Sequence, residues 1–273
     1  MQRTAIVIAP MGIGEVLDAG FSLARRNFRT LATITAWGAV PSYVAINIAG
    51  SLIESSRVSL VVLGVVLFVL GAVGFALLTG AVVVACARLI QPAAEPDSLH
   101  PAELYSLAAV RLLPIFLLVL VWALAAVPLV IALPLGIFVF IRWSMAYVAV
   151  LVEGAGPLES LRRSWAMTHH AWWHTAVVVV AGSLITGILS GVLSGLVGVV
   201  AGVLLLTTGS QVLMGALTIA GQSVALIALE PFSAAIGVVL YYELRARSEG
   251  FDLAQRMVHL TPTGQQPLAG GLR

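Results

Sequence analysis

Forty-one consecutive residues, Leu112 to Val152, carry a single charge, Arg142. A stretch this apolar must lie where water is excluded, and its length then sets the architecture. One helical crossing of a hydrocarbon core about 30 Å thick takes about 20 residues. The run therefore makes two crossings, with Pro128 and Pro134 bracketing the turn. Thr30–Ile53, Val58–Ala87, Thr175–Leu206 and Val212–Leu244 have the same character. Inside a bilayer a segment must satisfy its own backbone hydrogen bonds, which selects helices at these lengths. The prediction is an all-α fold, a polytopic integral membrane helical bundle of about six transmembrane helices in three hairpins. With 60% hydrophobic and 10% charged residues, the chain is far from the roughly 25% charge of a water-soluble domain. The second run is long enough to tilt or project. The last two leave room for a kink or a re-entrant piece, and Glu230-Pro231 interrupts the final one.

Short amphipathic segments introduce the hairpins. In Gly156–Trp173, one side of a helix carries Leu158, Leu161, Trp165, Thr168 and Trp172, and the other Glu159, Arg162, Arg163, Ala166 and His170. Such a helix rests flat on a membrane, its aromatic rings at headgroup level and its arginines facing anionic lipid. Ile13–Arg29 repeats the pattern, with Ile13, Leu17, Phe21, Ala24 and Phe28 against Glu15, Asp18, Ser22, Arg25 and Arg29. Ala102–Leu113 is a weaker version, with Leu104, Leu107 and Ala108 opposed to Glu103 and Ser106. Superposed on Glu15, Glu103 and Glu159, the three segments place Phe28, Phe116 and Trp172 thirteen residues on. This predicts a triple repeat over 12–90, 101–153 and 156–247, each unit a cytoplasmic interfacial helix followed by a hairpin. All three belong to a single membrane domain, 1–260, followed by a flexible tail, 261–273.

Fourteen arginines and no lysine carry the positive charge. On the six-span path twelve fall on one side, Arg57 falls on the other and Arg142 lies within the bilayer. The positive-inside rule assigns the arginine-rich side, and both termini, to the cytoplasm. Arg25, Arg26, Arg162, Arg163, Trp165, Trp172 and Trp173 are the candidate interfacial lipid contacts. Membrane lipids are accordingly the expected partners, alongside other membrane-protein subunits or further copies of the chain. Nucleic acid is not, because no clustered soluble basic face exists. Cys86 is the single cysteine and lies inside an apolar run, which leaves neither a disulfide framework nor a thiolate metal site. The N-terminal AIVIA is shorter than a signal-peptide core, so the mature chain is expected to begin near Met1.

Arg142 is the costliest residue to place, and Glu230 is the acid deepest in another span. The two are predicted to pair inside the bundle, which fixes helix registry or, on a second reading, lines a passage. His169, His170 and His174 lack a neighbouring acid at ligand spacing and HExxH is absent, so no metal is expected there. Glu153 and Glu159 flank Gly156-Pro157, which reads as a helix start rather than a catalytic carboxylate pair. Gly187, Gly191, Gly195, Gly198 and Gly202 share one helix face, a predicted packing seam. Asn47 and Gln222 read as interhelical hydrogen-bonding groups. Nucleophile and phosphate-binding motifs are absent, and neither catalytic residues nor a cofactor is expected.

Three stretches, IGEVLDAGFSLARRNF (Ile13–Phe28), RWSMAYVAVLVEGAGPLESLRRSW (Arg142–Trp165) and LYYELRARSEGFDL (Leu240–Leu253), carry a resemblance. In that order the chain resembles the prokaryotic glycerophosphoryl diester phosphodiesterase membrane-domain-like family, over nearly its full length. The resemblance implies a six-span helical protein of a prokaryotic plasma membrane, without the soluble barrel that carries catalysis in fused members. Glu230 departs from the family pattern, in which a small or apolar residue precedes the proline. The expected function is that of a non-catalytic, lipid-interacting scaffold or a subunit of a membrane assembly. The alternative is a small-molecule transporter or channel with Arg142 and Glu230 in its pathway.

Overall fold

The computed structural model describes residues 10–54, 57–91, 99–131 and 133–249. Among them every regular element is a helix: α1 (Ile13–Arg26), α2 (Phe28–Ile53), α3 (Val58–Leu89), α4 (Pro101–Val110), α5 (Leu112–Ile131), α6 (Leu133–Trp143), α7 (Ala146–Glu153), α8 (Pro157–Thr168), α9 (Trp172–Thr208) and α10 (Gln211–Glu249). Short helices α1 and α8 each precede a pair of long ones, whereas α4 is followed by α5 and then by two shorter helices, α6 of 11 residues and α7 of 8. Five helical stretches are long and apolar enough to cross a membrane: Phe28–Ile53, Val58–Leu89, Pro134–Glu153, Trp172–Thr208 and Gln211–Ser248. A sixth exists if α4 and the first part of α5, bent 58° apart at Arg111, count as one. The chain is an all-α, multi-pass membrane bundle.

The α5–α6 boundary falls between Pro128 and Pro134, where the turn was expected. Beyond it Trp122 and Phe140 meet edge to face at 5.7 Å, as an antiparallel hairpin requires. Runs α9 and α10 are continuous, with Pro231 carried inside α10, so neither holds a re-entrant piece. Residues 55–56 and 92–98, and the tail, lie outside the described residues.

Two amphipathic faces differ from expectation. Helix α1 starts with the Glu15 carboxylate accepting from the Gly12 N–H at 2.7 Å and closes with Arg25 and Arg26, an order that suits the helix dipole. It ends at Arg26 rather than Arg29, and it buries Val16, Gly20 and Leu23 together with Ala24 of the predicted stripe, while Ile13, Leu17 and Phe21 pack partly buried beside them. The reason is Gly20. A methyl there would lie 2.8 Å from the Ile236 Cα of α10, so the helix turns its smallest residue toward that backbone. Phe21 and Phe28 instead flank Phe232, at 5.4 and 6.0 Å.

Helix α8 is rotated likewise: Leu158 is 62% exposed, while Ser160, Leu161, Ser164, Met167 and Thr168 are buried. Its hydroxyls meet the break between α6 and α7. Ser164 Oγ donates to the Arg142 carbonyl at 2.6 Å and accepts from the Met145 N–H at 3.2 Å. These backbone groups sit where the helix is interrupted, so polar small residues stabilise the contact better than leucines would. Only α4 follows its predicted face, with Leu104 and Ala108 buried and Glu103 and Ser106 outside, although Leu107 is also exposed.

The glycine seam of α9 is a further correction. No side-chain or backbone atom of another element comes within 4 Å of a Cβ built at Gly187, Gly191, Gly195, Gly198 or Gly202. Helices α9 and α10 approach instead at Gly221, whose Cβ would meet Val197 at 2.5 Å.

Candidate functional site

Residues 13–28, 142–165 and 240–249 converge at one end of the bundle. Two carboxylates organise them. Glu153, at the end of α7, accepts a hydrogen bond from the Tyr241 hydroxyl of α10, pairs with Arg163 of α8, and lies 3.3 Å from Arg245 NH1. Burial works against the Arg163 charge, and the Tyr241 and Glu153 contacts more than offset it, so this guanidinium holds its proton more tightly than usual. Beside this node, Gly154 adopts φ +72°, and the Arg111 side chain occupies the space of its missing Cβ while donating to the Gly154 carbonyl at 3.1 Å. Only glycine meets both demands.

Glu243, one turn before the end of the span, is fully buried. It pairs with Arg247 and accepts from the Met11 N–H at 3.2 Å, and Arg247 NH2 donates to the Met11 carbonyl at 2.7 Å. His174 Nε2 stands 3.4 Å from the second carboxylate oxygen, too poorly aligned for a hydrogen bond. This node locks the start of α1 onto the end of α10 and the start of α9. A third link, Arg88 to Glu103 at 2.8 Å, ties the end of α3 to α4. The ends of α3, α7 and α10 and the starts of α1, α4, α8 and α9 thus form one polar layer.

Arg142 and Glu230 do not pair. Arg142 is 7% exposed, its NH1 donates to the Trp165 carbonyl at 3.2 Å, and its guanidinium lies over the Phe138 and Trp165 rings at 5.1 and 4.9 Å. Aromatic faces and a helix-terminal carbonyl take the place of a counter-ion. Glu230 lies on α10, immediately before Pro231.

The lipid-contact candidates divide. Arg25, Arg26 and Arg162 are exposed, Trp173 is 75% exposed and Trp165 38%. Arg163 is spent on Glu153, and Trp172 stacks on Phe138 with its Nε1–H 3.4 Å from the Phe138 carbonyl, so neither faces outward as predicted. His169 and His170 touch edge to face at 4.5 Å, while His174 turns to Glu243. The described residues hold no group of three metal-ligating side chains. Asn47 bonds the Tyr43 carbonyl of its own helix at 2.9 Å rather than a neighbouring helix.

Sequence reasoning missed both carboxylate nodes as sites. The Glu243–Arg247 spacing of four was a visible signal, but the partner at Met11 was not.

Fold and site together define a multi-pass helical membrane protein whose hairpins are tied at one end by two carboxylates, the partly exposed Glu153 and the buried Glu243. Comparison with protein-family models, curated proteins and solved structures found no match to this chain.

Proposed function

We propose that this protein is a non-catalytic, lipid-interacting scaffold of a prokaryotic plasma membrane, with the polar layer against the anionic cytoplasmic leaflet and both termini on that side. The carrying observation is how the layer divides its charges. Glu153 and Glu243 are consumed by structural pairs, and Arg25, Arg26, Arg162 and Trp173 are exposed. Basic side chains interleaved with an exposed indole suit anionic headgroups. Six crossings fit best, because Met11 and Arg247 are in contact and five would part them across the bilayer, which leaves α5 as the remaining span. The resemblance to the phosphodiesterase membrane-domain-like family agrees with this topology.

Lipids retained after mild-detergent purification test the reading. Anionic lipids should be enriched over their share of the host membrane. Changing Arg25, Arg26 and Arg162 together to Gln should remove the enrichment, at about 1 kcal/mol of attraction per arginine. Equal enrichment in parent and variant, or none in the parent, would overturn it.

A further inference from the structure

Arg142 keeps donors that the chain leaves unused. The residue is more than nine-tenths buried, and Nη1 donates to the Trp165 carbonyl at 3.2 Å. Nε is enclosed without a hydrogen-bond partner, and among the described residues no bond reaches Nη2 either. No carboxylate among them lies within ion-pair distance of the guanidinium. Glu153, at the end of α7, already serves Arg163, Arg245 and Tyr241. The Phe138 and Trp165 ring faces, at 5.1 and 4.9 Å, attract the charge as a whole. They do not supply the pair of oxygens that the planar fork of Nε–H and Nη2–H is shaped to meet.

Printed contacts place this fork at headgroup level, beside the polar layer. Phe138 stacks at 5.6 Å on Trp172, the first residue of α9. Two residues further on, His174 stands against Glu243 of the layer. Thr168 Oγ1 lies 3.4 Å from the Arg142 carbonyl, and the exposed His169 and His170 follow Thr168 directly. Tryptophans gather where acyl chains give way to headgroups. The oxyanion present at that level in every phospholipid is its phosphate.

We propose that Arg142 binds the phosphodiester of a membrane phospholipid, Nε and Nη2 donating to its two unesterified oxygens. Binding requires the side chains packed over Nε to part. The inference rests on the lipid-interacting reading for the source of its ligand, and deepens it: the ligand needs no net negative charge, unlike the lipids drawn to Arg25, Arg26 and Arg162.

Native mass spectrometry tests the site on the full-length protein, stripped of lipid in mild detergent. The probes are phosphatidylcholine and a diacylglycerol with the same acyl chains and no phosphate. Phosphatidylcholine should bind at least about tenfold tighter, as hydrogen bonds to a charged group predict, and inorganic phosphate in large excess should not displace it. This comparison needs no variant. Arg142→Gln should lower phosphatidylcholine affinity about tenfold, to that of diacylglycerol. Arg142→Lys, which keeps the charge and loses the fork, should fall between parent and Arg142→Gln. Equal affinity of the parent for the two probes overturns the proposal, as does a phosphatidylcholine affinity that Arg142→Gln leaves unchanged. Displacement by inorganic phosphate overturns the assignment to lipid. Because phosphatidylcholine carries no net charge, these results are independent of the anionic enrichment on which the scaffold reading stands.

Discussion

The polar layer and the far ends of the hairpins are built from opposite chemistry. In the layer, Glu153, Glu243 and Ser164 reach across elements far apart in sequence, and Gly20 and Gly38 lie where no Cβ fits, at 2.8 Å from Ile236 and 2.4 Å from the Tyr105 hydroxyl. At the far ends, Val58 to Val73 of α3 and Leu184 to Val203 of α9 leave valines and leucines uncovered, and a Cβ at Gly187, Gly191, Gly195, Gly198 or Gly202 of α9 would meet no other element, although Gly64 and Gly71 of α3 still press against α2 and Gly221 of α10 against Val197. Water drives apolar faces together, whereas lipid does not. A membrane bundle can therefore leave one face of each hairpin uncovered, its paired helices held by close backbone approaches alone, while polar contacts between distant elements are concentrated at one end.

Removing the Glu243 carboxylate should break the comparison most severely. Glu243→Ala removes the acceptor of the Met11 N–H and the ion pair to Arg247, whose side chain is 36% exposed, and should cost about 1–3 kcal/mol, to be read as lost resistance to denaturing detergent. The glycines sharpen the contrast. Gly20→Ala pushes a methyl into the Ile236 backbone and should cost about 1–3 kcal/mol. Gly191→Ala meets open space and should leave stability unchanged or raise it by up to about 1 kcal/mol through helix propensity. Equal effects at the two positions would contradict the division of the molecule.

The spans were legible because a bilayer imposes a length on every crossing, and the positions of Glu15, Glu103 and Glu159 were enough to locate the three short helices. Their rotation was not legible. An apolar-stripe argument assumes that lipid selects the buried face, whereas α1 and α8 bury Gly20 and Ser164 against protein backbone. Arg142 was misread for a related reason. Hydropathy placed it in an unbroken span that needed a counter-ion, and the interruption at Ser144 and Met145, where α8 docks, left no periodic trace. Glu243 and Met11 are 232 residues apart, a separation at which sequence spacing carries no information about contact.

Sidedness tests the central claim most directly. Single cysteines at Gly14, Arg162, Glu54 and Ser210, introduced with the buried Cys86 changed to Ala, can be probed with a membrane-impermeant maleimide in vesicles of known orientation. The account predicts that positions 14 and 162 label from one side and positions 54 and 210 only from the other. Labelling of 14 and 162 from opposite sides, or of 162 and 210 from the same side, would contradict it.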